Sequence, residues 1–481
     1  MPDSAVTHRA EHFIGGAWVA PAQPRSVMIV ANAADGSDLG TVPYGSANDV
    51  DLAVAAARAA FPTWSALSGK ERSHAILRLR DALADRAAVA SWIISLEVGT
   101  TARISDAVQV GLPLKTLVGF ADAAIQIEDQ LHIGNSTIVR EPAGVVGAIT
   151  PWNYPLHQLV GKAGAALAAG CTVVCKPAGL APLSAFLLAD AAEAAGLPAG
   201  VFNVVSGTGS VVGDSLARHP GIDVLSFTGS TEVGSSIAAA AATNITRVAL
   251  ELGGKSASVI LDDADLEKSV KASVNNAFLN SGQTCSAWTR LVVPRDAQDR
   301  AIEIAVGVAQ KLTVGHPLDP ATRLGPLASA QQKRTVLEYI AIGVEEARLV
   351  YGGAGLPDAI PDDYAGGYYV RPTIFADVDN ASRIAQEEIF GPVLCIIPHD
   401  GDEDAIRIAN DSPYGLAGGV WCSDEDRATE AARRIRTGQV DINGGAFNPI
   451  APFGGYKRSG VGREFGLAGV EEFTELKAIQ R

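Results

Sequence analysis

The first residue whose setting suggests chemistry is Cys285, in the segment "NSGQTCSAWTR" at 280–290. A free cysteine usually behaves as a small buried hydrophobe, yet polar residues and Gly282 precede this one, between a helix-like and a strand-like run. A thiol has a pKa of about 8.5, so a nucleophilic cysteine must reach its substrate and be helped toward the thiolate. Cys285 is therefore a candidate nucleophile, although most lone cysteines in long chains are structural.

Two other segments carry side chains that would assist such a nucleophile. Asn153, in "TPWNYP" at 150–155, could donate a hydrogen bond to an oxyanion, a contact worth about 3 to 4 kcal/mol. Glu251, in "LELGGKS" at 250–256, lies between leucines, and apolar surroundings raise the pKa of a carboxyl group toward that of a useful general base. Each has a structural alternative: Asn153 as the cap of a helix that begins near Leu156, and Glu251 as an ordinary acid at a strand end.

Two glycine-rich turns follow predicted strands. "FTGSTEVG" at 227–234 opens a predicted helix, and "SGTGSVVG" at 206–213 has similarly spaced glycines. The N–H groups at a helix N-terminus bind phosphate, but neither turn is the usual dinucleotide fingerprint with an acidic residue at the next strand end. An ordinary helix cap remains the alternative for both.

Together these segments closely resemble the aldehyde dehydrogenase superfamily, the NAD(P)-dependent enzymes that oxidise aldehydes to acids. The resemblance extends from "FIGGAW" at 13–18 to "PFGGYKRSG" at 452–460 and beyond. It implies that Cys285 attacks the aldehyde carbonyl to form a thiohemiacetal, that the Asn153 amide and the Cys285 backbone N–H hold the oxyanion, and that Glu251 activates the water that hydrolyses the resulting thioester.

The resemblance also implies NAD or NADP as the cofactor. Lys176 matches the lysine that reaches the adenosine ribose, and Glu388 with Phe390, in "EEIFGP", matches the pair that positions the nicotinamide ribose and ring. The implied cofactor-binding residues are Ile149, Thr150, Pro151, Trp152, Lys176, Ala178, Gly179, Gly209, Gly213, Phe227, Gly229, Ser230, Val233, Leu252, Gly253, Glu388 and Phe390.

Gly179 departs from the pattern of many NAD-preferring relatives, which carry glutamate three residues after the lysine. A carboxylate at this position would repel the 2′-phosphate of NADP, and glycine does not. We expect that NADP is tolerated or preferred; the alternative is that NAD binds through Lys176 and the backbone alone.

Gly161 is a second departure, because several relatives carry there a bulky aromatic residue that lines the substrate tunnel. The glycine is expected to leave room for an apolar, aromatic or medium-chain aldehyde. No Arg or Lys except Lys162 suggests itself as a partner for a substrate carboxylate. The candidate tunnel residues are Tyr154, Gln158, Gly161, Trp288 and Phe447.

The elements that position these residues alternate between strand and helix, which predicts an α/β fold with parallel sheets and ligands at the carboxyl ends of the strands. By resemblance the chain forms two Rossmann-type domains, a cofactor domain at 1–123 and 143–254 and a catalytic domain at 255–455. A β-hairpin within 124–142 and the tail 468–481 form a bridging ribbon. The tail is predicted to add a strand to a partner's sheet, so a homodimer or homotetramer is expected.

Composition narrows the function classes. The chain has 481 residues, 47% of them hydrophobic, and a net charge of −15, which argues against general binding to nucleic acid or anionic membranes. The N-terminal segment lacks the pattern of a secretory signal. An odd number of cysteines, 5, suits a reducing cytoplasm, and no His/Cys cluster has metal-ligand spacing; we therefore expect a cytoplasmic protein with no metal site.

Two further hypotheses remain besides the dehydrogenase. A coenzyme-A-acylating dehydrogenase or thioester hydrolase would share the cysteine, but by resemblance such members generally lack the general-base glutamate that Glu251 supplies here. A non-catalytic structural protein of the same fold would not need Cys285, Asn153 and Glu251 together.

Overall fold

The computed structural model describes residues 4–23, 27–355, 357, 360 and 364–481. Its first large sheet has central strands such as Val145–Ile149 and Val224–Thr228 that are entirely buried, as expected of parallel strands covered by helices on both faces. The five central strands run parallel, and the edge strands are antiparallel. In spatial order the strands are Ala17–Val19, His12–Ile14, Phe202–Val204, Thr172–Lys176, Val145–Ile149, Val224–Thr228, Arg247–Glu251 and Gly460–Val461.

The second large sheet repeats this architecture with residues from the second half of the chain. All of its neighbouring strands are parallel except the antiparallel pair at one edge. In spatial order they are Arg348–Tyr351, Thr373–Ala376, Val393–His399, Arg290–Pro294, Ala257–Ile260, Gly418–Trp421 and Asp441–Ile442. The α/β class is confirmed; the domain boundaries stay a prediction, and Gly460–Val461 joins the first sheet from beyond residue 455.

Three small sheets complete the strands of the described residues. The predicted hairpin is present as Leu131–Ile133 and Ser136–Pro142. The tail strand Thr474–Gln480 pairs antiparallel with Ser136–Pro142 of its own chain and is an edge strand of this small sheet. Its addition to a partner's sheet stays a prediction. The remaining pairs are Met28–Ala31 with Asp38–Val42 and Tyr414–Gly415 with Tyr456–Lys457.

Helices cover both sheets and form the layers between them. The longer ones are Ala47–Ser65, Gly69–Ala84, Ala87–Val98, Gly111–Gln126, Pro155–Ala169, Leu183–Ala194, Thr231–Ala241, Leu266–Ala277, Gln298–Ala309, Ala330–Glu346, Asp402–Asn410 and Glu425–Arg434. The shorter helical segments are Ser4–Thr7, Ala102–Ile104, Ser105–Val110, Gly209–Gly213, Asp214–Arg218, Ala242–Asn244, Leu279–Gly282, Arg295–Ala297, Arg383–Gln386 and Gly466–Glu471.

The helix Pro155–Ala169 carries several residues of the site and is buried along its whole length. Proline at its first position is pre-organised for a helix. Gly170 ends it with a φ of 94°, in the left-handed region where glycine avoids the steric cost of a side chain. The helix is therefore held at both ends by its own sequence.

The segment Ala102–Gln126 is apolar and long enough, by composition alone, to cross a membrane. In the structure Leu117, Phe120 and Ala124 are buried in the main core of the protein. A buried core helix passes the same compositional test, and its packing here accounts for its hydrophobicity.

Candidate active site

The three catalytic candidates meet where strand ends of the first sheet face the loop that carries Cys285. This loop leaves the helix Leu266–Ala277 through Asn280 and Ser281, whose φ values of 52° and 58° are left-handed. Ser281 donates from Oγ to the Gly325 carbonyl at 2.8 Å. A Cβ on Gly282 would lie 2.1 Å from the Gly391 carbonyl oxygen, so glycine is required for the tight passage that delivers Cys285.

Asn153 is oriented by hydrogen bonds on both sides. Its Nδ2 donates to the Gln283 carbonyl at 3.0 Å, and its own carbonyl accepts from Gln109 Nε2 at 2.8 Å and Asn280 Nδ2 at 3.1 Å. An amide NH₂ has two hydrogens, so one remains for an oxyanion. The helix that follows is capped by Tyr154 without a side-chain hydrogen bond, which makes the alternative role of Asn153 as its cap wrong.

Cys285 lies on the wall shared by two cavities. One, of about 880 Å³, is lined mostly by aromatic and aliphatic side chains. The other, of about 700 Å³, lies at the strand ends of the first sheet. Cys285 and Gln158 are the residues that line both, so a group bound in either cavity can reach the sulfur.

The second cavity, called the cofactor cavity below, collects the nicotinamide-side residues predicted from the resemblance. The predicted residues that line it are Pro151, Trp152, Gly229, Ser230, Leu252, Gly253, Glu388 and Phe390. Glu388 accepts from the Gly254 N–H at 2.9 Å, and burial raises the pKa of Glu388 to about 7. Trp152 and Phe390 meet edge to face at 5.4 Å. Gln332 also lines the cavity and was missed, because nothing in its helical segment distinguishes it.

The other predicted cofactor residues lie outside this cavity, at the same edge of the first sheet. They are Ile149, Thr150, Lys176, Ala178, Gly179, Gly209, Gly213, Phe227 and Val233. Lys176 donates to the Pro177 carbonyl at 2.9 Å, and burial lowers its pKa to about 8. A Cβ on Gly213 would lie 3.7 Å from Lys176 Cδ, so these two predicted residues are neighbours. Their roles stay predictions.

The first cavity, called the substrate cavity below, is lined by four of the five predicted tunnel residues: Tyr154, Gln158, Trp288 and Phe447. The Tyr154 hydroxyl and Thr284 Oγ1 are 2.7 Å apart. Its lining also includes Val108, Leu112, Asn276, Asp441, Phe453 and Phe465, which the sequence analysis missed. They come from separate segments with no shared motif, so only the folded chain brings them together.

Gly161 does not line the substrate cavity, and the prediction that it leaves room for substrate is wrong. A Cβ on Gly161 would lie 3.0 Å from Cε1 of Phe465. The volume that the glycine frees is therefore taken by this ring, which itself lines the cavity.

His157 is a further buried residue of the helix Pro155–Ala169. It is 6% exposed, and its ring stacks on Phe465 with centroids 4.9 Å apart. It lines the substrate cavity, and burial lowers its pKa to about 4.

The surroundings of Cys285 are less activating than its polar sequence neighbours suggested. The side chain packs against the main apolar core. Burial, together with the carboxyl groups of Glu388 and Glu251, raises the pKa of Cys285 to about 12. Because the thiolate is the nucleophilic form, the local sequence by itself does not hold the sulfur as an anion.

Glu251 is buried beside an ion pair and lines neither cavity. Both of its carboxyl oxygens lack a hydrogen-bond partner. Burial, and then the neighbouring Glu464, raise its pKa well above the usual range. Lys162 forms an ion pair with Glu464 and donates a hydrogen bond to Thr228 Oγ1 at 2.6 Å. Its ammonium group therefore already has partners inside the protein and is not a partner for a substrate carboxylate.

Among the described residues, no group of three or more His, Cys, Asp or Glu could hold a metal ion. The five cysteines, all within the described ranges, are free thiols.

Comparison with known proteins agrees with this geometry. Residues 18–479 match the model of the Aldehyde dehydrogenase family. The chain is 46% identical to a 3-succinoylsemialdehyde-pyridine dehydrogenase from a Pseudomonas species, over 98% of each chain. It is 43% identical to a geranial dehydrogenase from Castellaniella defragrans, over 97% of this chain and 98% of the relative.

Solved structures give the same result. A Cys-to-Ala mutant of aldehyde dehydrogenase C from Pseudomonas syringae, in complex with NAD⁺ and octanal, superposes with a TM-score of 0.95 at 44% identity, over 100% of this chain and 98% of that one. A Mycobacterium tuberculosis aldehyde dehydrogenase complexed with NAD⁺ gives 0.95 at 44% identity, over 99% and 98%. The chain therefore belongs to the aldehyde dehydrogenase family and is an NAD(P)-dependent aldehyde dehydrogenase.

Proposed function

We propose that the protein oxidises apolar, aromatic or medium-chain aldehydes to carboxylic acids through a covalent intermediate on Cys285. The observation that carries this proposal is the position of Cys285 on the wall shared by the two cavities. A sulfur in this position can bond to a substrate carbon from one side while that carbon faces a cofactor on the other.

The cofactor cavity fits the nicotinamide end of NAD or NADP. Its wall includes Gly253, where a Cβ would lie only 2.4 Å from the Glu388 carboxyl group. Because this position carries no side chain, its backbone can lie close to a ligand. The buried Glu388 carboxyl suits ribose hydroxyls, and Phe390 with Trp152 offers ring surfaces. When bound, the nicotinamide would accept the hydride that leaves the substrate carbon.

In the first step the Cys285 sulfur bonds to the aldehyde carbon, and the carbonyl oxygen gains negative charge. The free amide hydrogen of Asn153 and the Cys285 backbone N–H would stabilise this oxyanion. The thiol proton must leave as the bond forms, because Cys285 is protonated at rest. Glu251 in its ionised form is the nearby group that would accept that proton, and its raised pKa makes this carboxylate a stronger base than an exposed one.

After the hydride has left, a thioester remains on Cys285 and water must release the acid. Glu251 would first release to solvent the proton that it took from Cys285. The ionised carboxylate would then take a proton from water as the water oxygen bonds to the acyl carbon, and the C–S bond would break as Glu251 returns that proton to the sulfur. Since Glu251 lines neither cavity, its side chain must rotate toward Cys285. A single-turnover experiment with Glu251→Gln tests this role: we expect NAD(P)H to form more slowly than in the wild-type enzyme, because the thiol loses its proton acceptor, and the acyl-enzyme, detected by its mass, to persist.

The substrate class rests on the lining of the substrate cavity, which is rich in aromatic side chains such as Trp288, Phe447 and Phe465. The geranial and octanal in the names of two related proteins are apolar aldehydes of medium length, which supports the same class here. A panel of octanal, benzaldehyde and acetaldehyde, followed by the absorbance of NAD(P)H, tests it. A wide preference for acetaldehyde would contradict the proposal.

The same panel run with coenzyme A tests the main alternative. A coenzyme-A-acylating enzyme would form an acyl-coenzyme A instead of the free acid, and a non-catalytic protein would form no NAD(P)H. The buried, unpaired carboxyl of Glu251 favours hydrolysis by water.

Both cofactors should be compared in this assay. Gly179 brings no negative charge near Lys176, so we propose that NADP is accepted as well as NAD. A strong preference for NAD would contradict this part of the proposal.

We also propose that the protein is a homodimer or homotetramer. The ribbon formed by Leu131–Ile133, Ser136–Pro142 and Thr474–Gln480 exposes Leu131, Ile133 and Leu476 on one face. Contiguous exposed apolar side chains mark interaction surfaces. Sedimentation of the full chain tests the proposal, and a monomer at micromolar concentration would contradict it.

A further inference from the structure

Gln158 shares with Cys285 the wall between the two cavities. It belongs to the helix Pro155–Ala169, which is buried along its whole length, and it is itself 7% exposed. The accessible surface that Gln158 retains therefore lies in the cavities that it lines. The steps proposed for Cys285, Asn153 and Glu251 leave this side chain without a role.

The orientation of the Gln158 amide follows from its neighbours. Lys162 Nζ donates a hydrogen bond to Thr228 Oγ1 at 2.6 Å, and an ammonium group has only donors. The one hydroxyl hydrogen of Thr228 is thus left for Gln158 Oε1, with the two oxygens 3.3 Å apart. Lys162 is in turn held by its ion pair with Glu464. The amide oxygen of Gln158 is therefore turned toward Thr228, and its NH₂ group is turned away from it.

The NH₂ group of Gln158 is a donor without a partner. Within the part of the chain that the structure describes, Gln158 Nε2 makes no hydrogen bond, and it differs from the unpaired atoms that burial has closed off because it keeps accessible surface. An unpaired donor on a buried side chain is costly unless a ligand or water meets it. This NH₂ group is therefore free to bind a molecule at the junction of the two cavities.

Glu251 lies on the same side of the first sheet as this amide. Thr228 and Glu251 are paired residues of neighbouring parallel strands, and such residues project to the same face of a sheet. A water molecule that reaches both the acyl carbon on Cys285 and a rotated Glu251 has to lie near the shared wall. Gln158 is the residue that offers a free hydrogen-bond donor there.

We propose that Gln158 holds the water that hydrolyses the thioester on Cys285. One lone pair of the water oxygen accepts a hydrogen bond from Gln158 Nε2, the other forms the bond to the acyl carbon, and Glu251 removes one proton of the water. The C–S bond then breaks as Glu251 returns that proton to the sulfur, and Gln158 itself neither gains nor loses a proton. This inference rests on the proposed function and adds to it the residue that positions the water.

An activated ester separates the formation of the acyl-enzyme from its hydrolysis. One equivalent of p-nitrophenyl octanoate would acylate Cys285 and release p-nitrophenolate, which is followed by its absorbance. Samples quenched in acid and weighed by mass spectrometry then follow the loss of the acyl group. In Gln158→Met, which has a similar length and no N–H group, we expect acylation to change by less than about 3-fold and hydrolysis to slow by about 10- to 100-fold.

Two controls show whether a slower hydrolysis reflects the water. Hydroxylamine cleaves a thioester without a positioned water, so it should release the acyl group from Gln158→Met and from the wild-type enzyme at similar rates. Gln310→Met makes the same substitution at an exposed position after the helix Gln298–Ala309, and it should leave acylation and hydrolysis unchanged.

Variants of Thr228 test the orientation of the amide while Gln158 stays in place. Thr228→Val keeps the shape and removes the hydroxyl group, so we expect hydrolysis of the acyl-enzyme to slow by about 3- to 10-fold with little change in acylation. Thr228→Ser keeps the hydroxyl group and should recover most of the rate that Thr228→Val loses.

The outcomes separate this inference from the proposed function. Equal slowing of acylation and hydrolysis in Gln158→Met would make Gln158 a donor to the oxyanion, and an unchanged hydrolysis rate would show that it holds no water. A slow hydrolysis that hydroxylamine does not relieve would show that the acyl group is blocked from every nucleophile. Each of these results overturns the inference and leaves the proposed function standing. If the wild-type enzyme forms no acyl-enzyme on Cys285, the proposed function fails and the inference fails with it.

Discussion

The two cavities that meet at Cys285 are built in different ways. The cofactor cavity is lined largely by loops at strand ends, with glycines such as Gly229 and Gly253 and the buried carboxyl of Glu388. The substrate cavity is lined by side chains from distant segments, such as Val108, Asp441 and Phe465. Backbone is part of the first wall at these two glycines, whereas none of the described residues that line the second cavity is a glycine.

This difference has consequences for substitution. Where backbone lines a cavity, an added Cβ removes space that a ligand needs. Where side chains line it, substitutions change selectivity and leave the backbone in place. We therefore expect the cofactor cavity to be sensitive to small additions at glycine, and the substrate cavity to change its preference. The four predictions below test this contrast.

Cys285→Ala removes the one sulfur that both cavities share. We expect NAD(P)H formation from aldehyde to fall by about 10⁴-fold or more, since no other nucleophile lies on the shared wall. Cofactor binding, followed by quenching of tryptophan fluorescence, should change little because neither cavity loses a wall. An undiminished rate would contradict the assignment of Cys285 as the nucleophile between the two cavities.

The resting state of the same sulfur can be measured by alkylation with iodoacetamide. Because burial raises the pKa of Cys285 to about 12, the thiolate fraction of the cofactor-free enzyme should increase about tenfold per pH unit from pH 7 to 10, or about 1,000-fold in all. Peptide mapping would separate this site from Cys171, Cys175, Cys395 and Cys422, which are buried. A plateau in the rate near pH 8 would mean that the protein already holds the thiolate.

Gly253→Ala tests the backbone wall of the cofactor cavity. The new Cβ would lie 2.4 Å from the Glu388 carboxyl group, so this carboxyl group must move. Because Glu388 would then no longer be placed to hydrogen-bond the cofactor, we expect the KM for the cofactor to increase about tenfold. Gly307→Ala is the matched control, because a Cβ there meets nothing within 4 Å. The ratio of the rates with octanal and benzaldehyde should stay constant in both variants. A change in this ratio would contradict the expectation that substitutions in the cofactor cavity leave the substrate preference unchanged.

Gly179→Glu is expected to have the smallest effect. The added carboxylate should lower kcat/KM for NADP relative to NAD by about 5-fold, through repulsion of the 2′-phosphate. Gly179→Gln has nearly the same size without the charge and should leave the ratio unchanged. The nearest atom to a Cβ at this position is the flexible end of Met28, at 3.0 Å, so the fold should tolerate both. Equal ratios in the two variants would place Gly179 away from the bound cofactor.

The motif segments were more informative about one cavity than about the other. "PWN", "ELGG" and "EEIFGP" each place a backbone turn or polar group at a strand end, and their residues lie around the cofactor cavity or beside Cys285. Gly161 shows the limit of the same reasoning: the missing side chain at this position does not widen the tunnel, because Phe465, about 300 residues later in the chain, fills the space.

The amino-acid sequence by itself determined the alternation of strands and helices, the glycines that tight turns require, and the types of the catalytic residues, because these depend on local conformation and on chemistry carried by short segments. Tertiary structure alone decided the raised pKa of Cys285, the position of Glu464 beside Glu251 and the walls of the substrate cavity. Burial and long-range neighbours set a pKa, and a cavity wall is made by residues whose sequence separation says nothing of their distance in space.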